Sequence, residues 1–455
     1  MESILETLKI INSFVWHPYF LLPLLLGTGL YLTIGLGFLP LRKLGHGFRM
    51  LWAGRKSAEG AGDISPFNAL MTAMSATVGT GNIVGVAGAI AIGGPGAVFW
   101  MWITALVGMA TKYSEAVLAV KYREVDERGR QQGGPMYYIK NGLGDNWKWL
   151  GFLFALFGAI AAFGIGNGVQ SNSVANVLHG GLEIPHWVSG LILSIFTAVV
   201  LIGGIKRIGA IAGKIVPFMA ILYIFGALII IVMNMTDVPA ALSMIVSDAF
   251  TGSAAAGGFI GSAMILAMQK GVERGVFSNE AGMGTAPIAH AAAKTNNPIR
   301  QGTIGMLGTF LDTIIICTMT ALVIILMNGW TQIDAETGVR ISDADITAFA
   351  FSQGLPGIGE YIVMFGLVFF AYTTILGWSF YGERCAEYLL GVKVIPVYRI
   401  LWVGIVFVGA IANLKVAWAL AGILNGLMAF PNLIALLLLS PIVFKMSRDY
   451  FASQR

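Results

Sequence analysis

Charge is what this chain has least of. Only 11% of its 455 residues are Asp, Glu, Lys or Arg while 56% are hydrophobic, against roughly a quarter charged in an ordinary soluble domain. With a mean hydropathy of +0.78, so few charges cannot cover a water-facing surface. That excludes a soluble globular enzyme and leaves a polytopic membrane protein. Cysteine is almost absent too. Cys317 and Cys385 lie in separate apolar segments, so neither a disulfide framework nor a thiolate metal site is supported. The five histidines are scattered, and no metal-spaced cluster or nucleophile-plus-base pair occurs in the spans, which argues against a membrane-embedded enzyme. Met1 to Trp16 lack the basic start and small-residue cleavage site of a signal peptide, so the first helix is expected to stay in the protein.

Apolar runs and glycine are what the chain has in excess. Runs of the roughly 20 residues that a span needs lie near 18–39, 64–92, 95–120, 149–178, 186–204, 208–233, 258–293, 302–328, 357–389, 397–413 and 416–444. An all-α protein of about eleven transmembrane helices is expected. The basic excess, +5 overall, sits in short runs between them: 22 of the 28 Lys and Arg fall in alternate loops and the tail, against Lys9, Arg340 and Lys415 on the other side. The positive-inside rule then places the N-terminus outside and the C-terminus in the cytoplasm. Lys112, Lys270 and Arg274 fall inside apolar segments and need another explanation.

Setting aside the N-terminal helix leaves ten spans, two sets of five that enter the membrane from opposite sides. The expected organisation is 1–63, an N-terminal helix with a basic cytoplasmic loop; 64–235 and 236–445, two inverted five-helix repeats; and 446–455, a cytoplasmic tail. Gly-interrupted spans at corresponding positions of two repeats point to a transporter's binding site. Here the first and sixth core spans are the interrupted ones.

The first carries Ser75-Ala76-Thr77-Val78-Gly79-Thr80-Gly81-Asn82. If the helix opens there, freed N–H groups can receive a carboxylate and freed carbonyls can hold a desolvated cation, with Asn82 adding a side-chain carbonyl. Close helix packing through small residues is the alternative. A nucleotide-binding fingerprint is not, because Gly79-x-Gly81-x-x-x-Gly85 is off by one and follows no strand. The sixth carries Lys270, Glu273, Arg274 and Glu280 ahead of Gly282, Gly284 and Pro287. Such charges are tolerated in a membrane when they pair or face a water-filled cavity. The expectation is an unwound stretch over Phe277 to Gly284 with Phe277 closing over a small ligand, or else a long interfacial loop with solvated charges.

Asp312 stands alone in the seventh core span, about 12 residues from Arg300 and so near the midplane. A cation pathway or a structural salt bridge, with Lys270 or Arg274 as partner, would account for it. Thr373 and Thr374 in the eighth span can complete the oxygen shell of a sodium-sized ion, although membrane threonines commonly bond back to their own helix. Asn167, Gln170, Ser171 and Asn172 form a polar cluster able to contact an amino group or to bridge helices.

These segments, with Gly134-Pro135-Met136-Tyr137, Ala286-Pro287-Ile288-Ala289-His290 and Asn425-Gly426-Leu427-Met428-Ala429-Phe430-Pro431-Asn432, resemble the alanine/glycine:cation symporter family, or sodium:alanine symporters, from Phe14 to Pro441. The resemblance implies a LeuT-like core, sodium as the co-transported ion with no organic cofactor, uptake of alanine or glycine, and a plasma (inner) membrane location. It places Gly79, Thr80 and Gly81 at the substrate carboxylate, and Thr77 and Asn82 toward one cation site. Ser75 and Val78 carbonyls with Thr373 and Thr374 would form the other. Phe277, Ser278, Gly282, Trp378 and Gln170 would line the substrate pocket. The chain departs at Gly422, where the family pattern carries an Asp. Sodium-coupled symport of a small neutral amino acid by alternating access is therefore expected, with no nucleic acid or obligatory protein partner. Proton coupling is the alternative, and an ion channel the rival from another class. Alanine against glycine or serine, and the ion count, stay open.

Overall fold

The computed structural model describes residues 2–17, 19–55, 60–251, 260–333, 341, 343–412 and 415–454. Arg340, counted above on the outer side, lies outside them, as do residues 258 and 259 at the start of the expected sixth core span. Helices dominate, with one short antiparallel hairpin pairing Glu124–Val125 with Gln131–Gln132. Among the described residues seven helices are long and apolar enough to cross a membrane: Gly96–Lys121, Asp145–Leu182, Gly204–Met233, Pro298–Leu326, Gly359–Leu390, Val392–Ile411 and Ala419–Ala452. The pair Pro66–Thr77 and Gly81–Gly93, bent by 54°, makes up to eight. Leu21–Gly35 and His186–Ile202 are apolar but shorter.

Among the helices that lie outside the expected spans, three run to 12 residues or more. Glu2–Val15 precedes the first apolar run and packs on the last helix, Lys415–Ala452. Val238–Thr251 lies against the start of Gly96–Lys121, where Asp248 Oδ2 accepts the Gly96 N–H at 2.8 Å. Asp343–Gly354 packs on Gly359–Leu390. Their ends are set by polar and glycine signals too short to separate from loops.

Two of the long elements begin alike. Ser65 Oγ accepts the Asn68 N–H at 3.1 Å ahead of Pro66, and Asn297 Oδ1 accepts the Arg300 N–H at 3.1 Å ahead of Pro298. A polar cap followed by proline satisfies the orphan N–H groups of a first turn and presets its φ. Gly96–Lys121 forms the axis of the fold, packed against Leu21–Gly35, Ile260–Asn279, Ala286–Ala291 and Pro298–Thr309. The approach is close because the neighbours are small: a Cβ on Gly305 would sit 2.9 Å from the Ala116 methyl.

The sixth core span is wound from Ile260 to Asn279 and again from Ala286 to Ala291. Phe277 and Ser278 are therefore helical, and the unwinding expected over Phe277 to Gly284 begins only at Glu280. The physical reason is the backbone: left-handed φ values fall on Glu280 (54°), Gly282 (88°) and Gly284 (79°). Three π-helical turns interrupt other helices, Gly81–Gly85, Gly164–Gly168 and Phe310–Cys317. Such turns break the regular ladder and recur at functional sites. They hold Asn82, Asn167 and Asp312.

Candidate functional site

The first bent span supplies the floor of the site. The helix stops at Thr77, Val78 is extended (φ −75°, ψ 95°), and winding resumes as the π-helical turn Gly81–Gly85. Asn82 closes the gap by accepting the Gly79 N–H on Oδ1 at 2.9 Å. Its amide nitrogen crosses to the seventh core span, donating to Asp312 Oδ1 at 2.7 Å and to the Asp312 carbonyl at 3.3 Å.

Asp312 is the hub. Its Oδ2 accepts the Ser278 hydroxyl at 2.8 Å from the sixth core span and the Thr313 hydroxyl at 2.8 Å. Asp312, Asn82, Ser278 and Thr313 are each fully buried. A carboxylate and two hydroxyls supply hard oxygens of the kind that suit an alkali cation, while the Asn82 amide presents its nitrogen to the carboxylate and its oxygen to Gly79. Among the described residues no three His, Cys, Asp or Glu side chains group as a metal site. The sequence offered Lys270 or Arg274 as partners for Asp312, and the structure replaces both with neutral donors. Lys270 pairs with Glu273 at 2.8 Å, and Arg274 lines a surface cavity.

Behind the bend stands the eighth core span. A Cβ on Gly79 would lie 2.6 Å from Thr374 Oγ1, and one on Gly377 would lie 2.7 Å from Ser75 Oγ. The Ser75 to Gly79 segment thus contacts the eighth core span at Thr374 and Gly377, whereas the Thr373 hydroxyl faces Met219. Thr373 and Thr374 hydroxyls now donate to the Phe370 carbonyl at 3.0 and 2.9 Å. Thr77 likewise bonds back to Ala73 and Met74 carbonyls, at 3.4 and 3.3 Å.

Gln170 reaches the bend from the third core span. Its amide donates to Thr80 Oγ1 at 3.4 Å and to the Ile165 carbonyl at 3.0 Å, which leaves Oε1 buried without a partner. Phe277 sits over Gly81, with its Cδ1 3.4 Å from where a Gly81 Cβ would be. Its other side lines an open cavity of about 500 Å³ with Leu5, Lys9, Asn12, Arg274 and Asn425. Gly79, Thr80, Gly81, Asn82, Gln170, Phe277, Ser278, Asp312 and Thr374 are therefore one neighbourhood.

Three of the named residues lie apart from it. Asn167 donates to the Trp402 carbonyl at 2.9 Å. Gly282 lies against Leu25 and Leu433, and its carbonyl accepts the Asn432 amide at 2.9 Å. Trp378 packs on Gly166 and gives its indole N–H to Glu280 Oε1 at 2.9 Å. Thr313 and Cys317 were missed by sequence reading. Their only signal was the i+1 and i+5 spacing from a lone aspartate, and the π-helical turn over Phe310–Cys317 turns them inward.

The chain matches the sodium:alanine symporter family over residues 1–455. It is 52% identical over 443 residues to the sodium/alanine symporter AgcS of Methanococcus maripaludis, covering 97% of this chain and 96% of that one. It is 50% identical to an uncharacterized transporter of Haemophilus influenzae, covering 99% and 96%. Among solved structures it is similar to the Eremococcus coleocola manganese transporter (TM-score 0.53, 13% identity, 81% of this chain and 75% of that one) and to MhsT in complex with L-phenylalanine (TM-score 0.50, 13% identity, 85% and 98%). At that identity the likeness shows a LeuT-like fold and nothing of substrate. A helical membrane chain of this fold, matched to one family from end to end, is a transporter and not an enzyme, and it belongs to the sodium:alanine symporter family.

Proposed function

We propose that the chain imports a small neutral amino acid, alanine foremost, by sodium-coupled alternating access. The carrying observation is Asp312, a fully buried carboxylate shared by the first bend, the sixth core span and a π-helical turn. Sodium would replace the Asn82 and Ser278 donors around it, with Asn82 Oδ1 turned inward. The Gly79, Thr80 and Gly81 N–H groups receive the substrate carboxylate, Gln170 Oε1 its ammonium, and Phe277 separates it from the outer cavity. Ser75 and Val78 carbonyls with Thr373 and Thr374 form a second cation site once the hydroxyls rotate away from Phe370.

In this reading Leu21–Gly35, His186–Ile202 and the interrupted Ile260–Asn279 with Ala286–Ala291 complete eleven spans, and the ten after Leu21–Gly35 form two inverted repeats of five. The cytoplasmic face is the one bearing Arg123, Lys294 and Arg399, in the plasma membrane of the cell.

Labelled alanine uptake into proteoliposomes tests this. An inward sodium gradient is expected to drive saturable accumulation that is competed by alanine, and by glycine or serine in proportion to fit. Accumulation driven by protons with no effect of sodium would overturn the ion assignment, and a single-channel current would overturn symport. Asn82→Ala and Thr374→Ala are each expected to raise the sodium concentration for half-maximal uptake about fivefold or more, the equivalent of one lost contact of roughly 1 kcal/mol. Unchanged sodium dependence in both would make these residues packing elements.

A further inference from the structure

An ionisable cluster beside the second break is used by neither the sodium nor the substrate reading. Lys112 is 3% exposed, and its Nζ has no hydrogen-bond partner. It lines a small cavity with Thr77, Asn279 and His290, whose Nε2 is likewise unpartnered. On the same helix Glu115 is fully buried. Across from both stands Glu280, at the left-handed turn that ends Ile260–Asn279.

The hydrogen bonds distinguish the two glutamates. Glu280 accepts on each oxygen, from the Trp378 indole at 2.9 Å and the Thr285 hydroxyl at 2.5 Å. Glu115 accepts twice on Oε1, from the Gly284 N–H at 3.1 Å and the Asn432 amide at 2.7 Å, and not at all on Oε2. A carboxylate offers two equivalent acceptor oxygens, whereas a carboxylic acid concentrates acceptance on its carbonyl and keeps the other oxygen as a hydroxyl. A bare anionic oxygen sealed inside a membrane protein is far more costly than a bare hydroxyl.

We propose that Glu115 is a proton-binding site. Oε2 carries the proton, and Oε1, as a neutral carbonyl, ties Gly284 of the second break to Asn432 of the last helix. Asn432 extends the tie by donating to the Gly282 carbonyl at 2.9 Å and accepting the Tyr138 hydroxyl. With Glu115 neutral, Lys112 faces two carboxylates, Glu280 and Asp312, instead of three. The effect on uptake rests on the proposed transport; the proton on Glu115 does not.

The charged and titratable groups that face Glu115 are Lys112 on its own helix, Tyr138 on Pro135–Leu143 and Tyr381 on Gly359–Leu390, and Lys112 in turn faces Glu280 and His290 flanking the second break and Asp312 on the seventh span. Losing the proton puts a further carboxylate charge on the single Lys112 side chain that Glu280 and Asp312 already face. The closed break is therefore favoured by the protonated form, and uptake should fall as pH rises through the titration of Glu115.

Infrared spectroscopy of the full-length protein in lipid reads the proton directly. The wild type at neutral pH is expected to show a deuterium-sensitive protonated-carboxyl C=O band that is lost in Glu115→Gln. Uptake by the wild type should drop at alkaline pH, by up to about tenfold per pH unit beyond the titration point, and Glu115→Gln should remove that drop. A band that persists in Glu115→Gln, or one absent from the wild type, overturns the proposal. So does an alkaline loss that Glu115→Gln leaves in place. The band needs no transport, so a failure of sodium coupling would not be mistaken for a failure of the proton site.

Discussion

Asp312→Asn is expected to raise the sodium concentration for half-maximal uptake by about 100-fold or more, roughly 2.8 kcal/mol of lost cation affinity. The side-chain volume is nearly unchanged, so packing around it is kept. What goes is the formal charge, and with it the charge-assisted bonds from Asn82, Ser278 and Thr313, each worth roughly 1.5–3 kcal/mol. An asparagine amide must also turn its NH₂ toward one set of these donors, which leaves two donors facing each other. A cation pathway and a purely structural role separate by readout. In the first case sodium affinity collapses while thermal stability of the purified protein in sodium-free buffer holds, because a neutral group is cheaper to bury than an anion. If stability falls by several degrees and the sodium dependence of the remaining uptake is unmoved, Asp312 is a structural residue and the cation reading fails. Asp312→Glu supplies the control, since it keeps the charge but adds a methylene at a fully buried position.

The membrane-protein class was legible because it follows from counting. Charge is excluded from lipid-facing segments whatever the tertiary arrangement, so the basic loops stood out as a periodic signal. Asp312 was legible for the same reason: one carboxylate among apolar neighbours has to be compensated. Its partners were not. Asn82 lies 230 positions away, and no local rule joins them. The nearby cations Lys270 and Arg274 looked like natural partners only because sequence proximity to a break was taken for proximity in space. In the folded chain Lys270 and Glu273 neutralise each other one turn apart, toward the open cavity. Much of the glycine excess, too, serves helix contact. A Cβ on Gly275 would strike Thr104, and one on Gly302 would strike Val117, so glycine marks close approach along Gly96–Lys121 as often as it marks an opened backbone. The start of the second break was misplaced by three residues because Glu280, not a glycine, takes the first left-handed φ, and no propensity scale anticipates that.

Arg123→Ala is expected to cut sodium-driven uptake about tenfold or more and to open the side bearing the basic loops. The cause lies in how the two interrupted spans are joined there. Residues 61–64 run beside 292–295: the Asp63 and Ile64 N–H groups donate to the Ala292 carbonyl at 2.8 and 3.1 Å, Lys294 N–H to Ile64 at 2.7 Å, and Thr295 N–H to Ala61 at 3.1 Å. Arg123, at the end of Gly96–Lys121, donates to four carbonyls of this seam, those of Ala291, Ala293, Ala61 and Thr295, at 2.6 to 3.0 Å. No other side chain reaches this seam at so many points among the described residues. Four charge-assisted bonds at roughly 1.5–3 kcal/mol each exceed the few kcal/mol that separate conformers of a protein in exchange. Alanine leaves the carbonyls to water, which can enter only if the seam parts, so the closed arrangement should lose population to one open on that face. A cysteine placed at Thr77 would report the shift, since Cys317 and Cys385 are both buried. Its labelling by a membrane-impermeant thiol reagent from the basic face should accelerate about tenfold in Arg123→Ala and much less in Arg123→Lys, which keeps a donor at that point. Gly62→Ala strikes the same seam sterically, because a Cβ there collides with Lys294 and Gly62 holds a φ of 152°. It should accelerate labelling in the same direction. If uptake falls in both variants with no change in labelling rate, the seam serves folding rather than closure.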